Sequence, residues 1–91
     1  MATAAIQFKI MPESPDTDLE KLKQSIREKI ESFKSGVIND IKEEPIAFGL
    51  KALIVTFALS EEQEVDEVEN SVTEIKGISS TELIDYRRAI G

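Results

Sequence analysis

Residues 50–59, Leu-Lys-Ala-Leu-Ile-Val-Thr-Phe-Ala-Leu, are interrupted only by Lys51 and Thr56. A strand with one wet face alternates apolar and polar side chains. A run this continuous predicts instead a strand flanked on both edges and covered on at least one face. The fold must therefore hold a sheet with this segment inside it, and the rest of the chain must supply its neighbours and a covering layer.

Those neighbours show as changes of hydrophobic period. Ala4, Ile6, Phe8 and Ile10 share one side of a period-2 pattern, with Gln7 and Lys9 on the other, which predicts a half-buried strand ending at Pro12. Ser14-Pro15, with Asp16 and Asp18 close behind, offers a side-chain oxygen for orphan amides, a pre-set φ and negative charge, the ingredients of a helix start. Leu19, Leu22, Ile26, Ile30 and Phe33 then recur at helical spacing, with Lys21, Lys23, Arg27 and Lys29 turned outward, and Gly36 is the expected stop. Val37 to Lys42 suits an edge strand, β-branched but carrying Asn39 and Asp40, and Glu43-Glu44-Pro45 should end it. Ser60-Glu61-Glu62-Gln63 matches a capping box, which predicts a second helix with Val65, Val68, Val72 and Ile75 as its stripe and Gly77 as its stop. Ser79 to Ile90, with Leu83, Ile84 and Tyr86, completes the chain as a last strand.

The order is βαββαβ. Two right-handed βαβ crossovers in one sheet make an α+β ferredoxin-like plait: a four-stranded antiparallel sheet, both helices on one face, the first and third strands central. The other face is left to water or a partner, and the pattern does not assign Phe8 and Phe57 to a side. At 91 residues the chain is expected to hold one domain, 1–91, since separate cores arise only at several times this length.

Composition narrows the function. Eighteen acidic against 11 basic residues leave a net charge of −7, a sign that argues against nucleic acid, whose binding begins with Lys and Arg displacing counterions from phosphates. With no His and no Cys, the ordinary histidine base, thiolate nucleophiles, zinc sites and disulfides all drop out, so an enzyme, a cofactor and a metal site are not expected. No run approaches the roughly 18 apolar residues of a membrane span, and Met1 to Ile10 lacks a signal pattern. A cytoplasmic protein is the expectation. The acids from Glu61 to Glu69 spread round a helix without a calcium loop and read as a solvated face. Asp16 and Asp18 read as caps rather than an acid–base pair. Met11-Pro12-Glu13-Ser14-Pro15 is anionic and lacks the glycine of a phosphate loop, and no strand carries the aromatic and basic pattern of an RNA reader.

Two features escape this accounting. Phe48, between Ala47 and Gly49 and just past a proline, is either a binding anchor on a tight turn or a loop residue folded back over the sheet edge. Arg87 and Arg88, adjacent arginines near the end of an acidic chain, either reach for a phosphate, carboxylate or metal site on a partner or balance Glu82 and Asp85 as a solvated tail.

Pro45-Ile46-Ala47-Phe48-Gly49-Leu50, set between the second strand and the apolar third, joins Met11-Pro12-Glu13-Ser14-Pro15 and the basic carboxy terminus in a pattern that resembles the archaeal elongation factor 1-beta family of guanine-nucleotide exchange factors, over the whole chain. The resemblance implies the plait derived above. It also implies a role in exchanging GDP for GTP on elongation factor 1-alpha, the GTPase that delivers aminoacyl-tRNA, with no bond-making chemistry. In related eukaryotic exchange domains an aromatic in a Gly-aromatic-Gly turn and a lysine beside the carboxy terminus contact the GTPase. The aromatic falls on Phe48, with Ile46 and Gly49 around it. The lysine falls on Arg88, with Arg87 before it and Ala89-Ile90 after it. Arginine is a departure here, because its guanidinium is a flat fork where a lysine is a compact point charge. Lacking the extra amino-terminal regions of the eukaryotic proteins, the chain is expected to act as the bare exchange domain and as a monomer when free. An ACT-like small-molecule-binding regulatory domain shares the βαββαβ order, but would call for a stable homodimer and a glycine in the loop from 12 to 15, which has none.

Overall fold

A computed structural model describes residues 3–33 and 36–88. Strands β1 (Thr3–Pro12), β2 (Val37–Pro45), β3 (Lys51–Ser60) and β4 (Ile78–Arg88) alternate with helices α1 (Leu19–Glu31) and α2 (Val65–Thr73), and a short 3-10 turn, Ala47–Gly49, joins β2 to β3. All pairings are antiparallel, in the order β2-β3-β1-β4. This is the ferredoxin-like plait, with the apolar run of β3 in the interior position it requires.

Alternation along β1 and β3 decides which face is covered. Ile6, Phe8 and Ile10 stand level with Phe57, Val55 and Leu53, and all six are buried beneath Leu22, Ile26 and Ile30 of α1 and Val68 and Val72 of α2. Phe8 and Phe57 both belong to this side, their rings edge to face at 4.9 Å and 65°, the arrangement aromatic quadrupoles favour. Each fully buried side chain of this size contributes about 1.5–3 kcal/mol. The opposite face is mixed, with Gln7 donating to Thr56 Oγ1 at 3.1 Å and Lys9 4.0 Å from Glu44 beside Met11, Ile54 and Ala58.

Several local expectations are corrected. Of the two aspartates expected to cap α1, Asp18 does so, its carboxylate accepting the Lys21 N–H at 3.2 Å. Ser14 instead closes a turn, its hydroxyl oxygen accepting from the Asp16 N–H and its carbonyl from the Thr17 N–H, so Asp16 is not a cap. The helix ends at Glu31, well before Gly36. What Gly36 supplies is room, since a Cβ there would lie 2.1 Å from the Ile30 carbonyl oxygen. Strand β2 runs on through Glu43 and Glu44 to Pro45, which an edge strand tolerates because only one of its sides must donate to the ladder.

Nor does the capping box form. Ser60 still pairs with Thr3 as the last residue of β3, so it closes a turn onto the N–H groups of Glu62 and Gln63, and α2 begins at Val65 behind Glu64. Strand β4 starts at Ile78, and Ala89 and Ile90 lie outside the described residues. Its register against β1 shifts between Gln7 and Phe8, leaving Ile84 without a partner. This bulge and the charges of β4 blunt an edge that would otherwise invite pairing.

Candidate functional site

The β2–β3 hairpin closes with the Ile46 N–H donating to the Leu50 carbonyl at 2.8 Å and the Leu50 N–H to the Ala47 carbonyl at 3.3 Å. Between them Phe48 has φ 64° and ψ 29°, and Gly49 has φ 76°. Positive φ at both central residues is the type I′ signature, whose twist matches that of the flanking strands and which strongly prefers Asn-Gly. Gly49 adopts it without strain. Phe48 does not, because its Cβ crowds a carbonyl oxygen at a cost of about 1 kcal/mol or more. Nothing in the fold offsets that cost through burial, since Phe48 is 93% exposed. Of the two sequence-based alternatives, the structure has the aromatic projecting from the turn rather than folded over the sheet. Ile46, at the start of the turn, is half-buried. Gly49 sits beside the β1–α1 loop, a Cβ there lying 3.9 Å from that of Pro15, and the same loop is tied down by the Glu13 N–H donating to the Gly77 carbonyl.

At the carboxy-terminal end of β4, Arg88 stands level with Ala4 and Arg87 with Ala5. Ala4 is a core residue and Ala5 is exposed, so the two arginines leave the strand on opposite faces, Arg88 on the helix side. Arg87 Nε lies 3.1 Å from Asp85 Oδ2, as a residue two positions away on the same face should. Arg88 Nε approaches not Glu82 but Glu61 Oε1, at 3.7 Å, on the connection from β3 to α2. Tyr86 and residues 61–66 line a shallow hollow of about 220 Å³ there.

Phe48 and Arg88 are not brought together. Arg88 is level with Ala4, and Ala4 with Leu59; from Leu59 back to Lys51 at the foot of the hairpin is about 26 Å of strand at roughly 3.3 Å per residue. The two features occupy opposite ends of a molecule 41 Å long.

Sequence reasoning overlooked the ion pairs made by Arg88 and by Glu43. The Arg88 pairing with Glu61 depends on register, because Leu59 and Arg88 both stand level with Ala4 and the chain leaving β3 at Ser60 therefore turns just past the end of β4. The other joins Lys23 of α1 to Glu43 of β2 at 2.7 Å, with Lys51 3.6 Å from the same carboxylate. The Lys23 hydrogen bond, helped by its charge, holds Glu43 below the ordinary carboxylate value, and the same bond raises Lys23 above the ordinary lysine value against the opposing effect of partial burial. Among the described residues no three His, Cys, Asp or Glu side chains converge as a metal site, and no helix is long and apolar enough to cross a membrane.

Residues 5–88 match the model of the family described as the EF-1 guanine nucleotide exchange domain. Elongation factor 1-beta of Methanosphaerula palustris is 44% identical over 86 residues, 93% of this chain and 95% of that protein. The proteins of the same name from Methanosarcina barkeri and Methanothermobacter thermautotrophicus are each 43% identical over 89 residues, 97% of this chain and 99% and 98% of theirs. Among solved structures, the C-terminal domain of the MgtC protein from Mycobacterium tuberculosis superposes with a TM-score of 0.64 over 96% of this chain and 87% of its own, at 8% identity, a likeness of fold alone. By full-length similarity to its archaeal relatives and by the match of residues 5–88, the chain belongs to the EF-1 guanine nucleotide exchange domain family.

Proposed function

We propose that this protein promotes exchange of GDP for GTP on elongation factor 1-alpha, as a single exchange domain that works on the GTPase without bond-making chemistry, cofactor or nucleic acid of its own. The observation that carries it is Phe48. An aromatic held at positive φ, 93% exposed and packed on nothing, makes the folded chain less stable than an asparagine there would. Such a residue makes sense when its burial happens on a partner, and hot spots of binding are typically large side chains seated in well-packed, desolvated pockets.

Exchange requires only differential binding. A protein that holds the nucleotide-free GTPase more tightly than the GDP-bound form shifts the population toward release, and a ligand with equal affinity for both shifts nothing. In this account Phe48, flanked by Ile46 and Gly49, anchors one end of the sheet in an apolar pocket of elongation factor 1-alpha. Arg88 is presented beyond about 26 Å of intervening strand, where its guanidinium competes for a phosphate or for a carboxylate that would otherwise serve the nucleotide's metal ion. Arg87, on the opposite face of β4, cannot converge on the same anion from its place in the strand and serves as a lesser contact. The separation calls for a partner that lies along the molecule rather than touching it at one point.

The test is release of fluorescent GDP from elongation factor 1-alpha, with and without catalytic amounts of this protein. Acceleration that Phe48→Ala and Arg88→Ala each reduce, with both variants folded, is the expected result. No acceleration by the unaltered chain would overturn the proposal and favour a ligand-binding plait of the ACT-like kind.

A further inference from the structure

We propose that Glu61 is a positioning residue for Arg88, holding its guanidinium by the inner edge so that the outer edge is presented to the partner; this rests on the role given to Arg88 above. Arg88 lies on an edge strand paired only to β1 at that level, and its side chain is 76% exposed. A long side chain in that position samples many rotamers, and ordering it on binding weakens the complex. Glu61 is the better-held member of the pair, its side chain 27% exposed on the connection that leaves β3 at Ser60, itself buried and paired to Thr3. The approach is through Nε at 3.7 Å. A guanidinium has five N–H donors in a rigid fork, so a carboxylate on the Nε side leaves the edge bearing the two terminal nitrogens directed away from it, and that edge binds a carboxylate or phosphate bidentately. A lysine has no such division, because its ammonium is a single point of charge. The pairing thus gives arginine at position 88 a use of its own, and makes Glu61 productive only while residue 88 is an arginine.

Exposed ion pairs are weak and screened by salt, which bounds the effect. Glu61→Gln should lower kcat/KM for GDP release from elongation factor 1-alpha about two- to fivefold at low salt, and the deficit should shrink at 0.5 M salt, on the order of several times physiological strength. In an Arg88→Ala or Arg88→Lys background the same substitution should change nothing further. In the free protein, the nitrogen-15 signal of the Arg88 Nε–H should move in Glu61→Gln while the melting curve does not. Equal losses in all backgrounds, an unmoved Nε–H signal, or faster exchange by Glu61→Gln would overturn the proposal, the last by showing that Glu61 withholds Arg88. Exchange untouched by Arg88→Ala would overturn the role of Arg88 and this inference with it. No exchange by the unaltered protein would overturn the proposed function itself.

Discussion

Replacing Phe48 by Asn should make the protein more stable and a worse exchange factor. At φ 64° and 93% exposure, Phe48 bears the conformational cost of the left-handed region and recovers nothing by burial within the chain. That cost is about 1–2 kcal/mol for an ordinary side chain. Asparagine tolerates the region far better and is the preferred first central residue of a type I′ turn before glycine. Relief of about half the cost gives a gain on the order of 0.5–1 kcal/mol, or roughly 2–8 °C in Tm for a domain of this size. On the partner the sign reverses. An aromatic buried in a pocket contributes about 1.5–3 kcal/mol by area alone, so its loss should reduce kcat/KM for GDP release roughly 10- to 150-fold. Thermal denaturation by circular dichroism and release of fluorescent GDP, on the same preparation, read both effects. A fall in Tm would mean that Phe48 supports the fold, and unchanged exchange would mean that it meets no pocket; either refutes the reasoning.

The Lys23–Glu43 pair gives stability a defined pH dependence. Because the carboxyl of Glu43 is held below its ordinary value, its contribution is present above the carboxylate range and is lost as pH falls through the lowered value. Because Lys23 is raised, its contribution is full at neutral pH and is lost only as pH rises past the ordinary lysine value. The urea midpoints of the unaltered protein and Glu43→Gln should therefore differ by a constant amount from about pH 6 to 9 and converge below about pH 4, the carboxylate range; a difference that persisted in acid would contradict the pairing. Thr81 stands level with Ile10 on the helix-covered side, and its hydroxyl is buried without a partner. Thr81→Val should raise stability by about 1 kcal/mol in urea denaturation, and destabilisation would show that the hydroxyl is satisfied. Gly36→Ala should cost on the order of 2 kcal/mol, because the new Cβ meets the Ile30 carbonyl, a backbone atom that cannot swing aside; an unchanged urea midpoint would contradict that close approach.

How far sequence reasoning reached depended on the range of the signal. The run from Leu50 to Leu59 placed β3 inside the sheet because its apolar continuity reports burial directly, and the stripes of both helices held for the same reason. The helix starts were legible only in part, since Asp18 caps α1 as expected but the serines cap nothing. Ser14 and Ser60 each carry the local chemistry of a cap, yet Ser60 is claimed by its pairing with Thr3 and Ser14 by its own turn onto Asp16 and Thr17. Pairing register and turn closure outranked a propensity worth about 1 kcal/mol. At the candidate site, Phe48 stood out in the sequence because nothing about strands explains an aromatic before a glycine in a turn, and the structure decides only that it is exposed. The partner of Arg88 was not. Glu61 reads as one more acid at a helix start until the strand register sets it beside the end of β4, and the same register carries Phe48 and Arg88 to opposite ends and turns Arg87 to the other face.

Differential binding is the centre of this account, and calorimetric titration measures it directly. The protein is titrated into elongation factor 1-alpha freed of nucleotide, and separately into the GDP-loaded form. Binding to the nucleotide-free form should be tighter, and by linkage the factor by which GDP weakens it should equal the factor by which this protein weakens GDP. Equal affinity for the two forms would contradict the account, because such a ligand cannot move the equilibrium however tightly it binds.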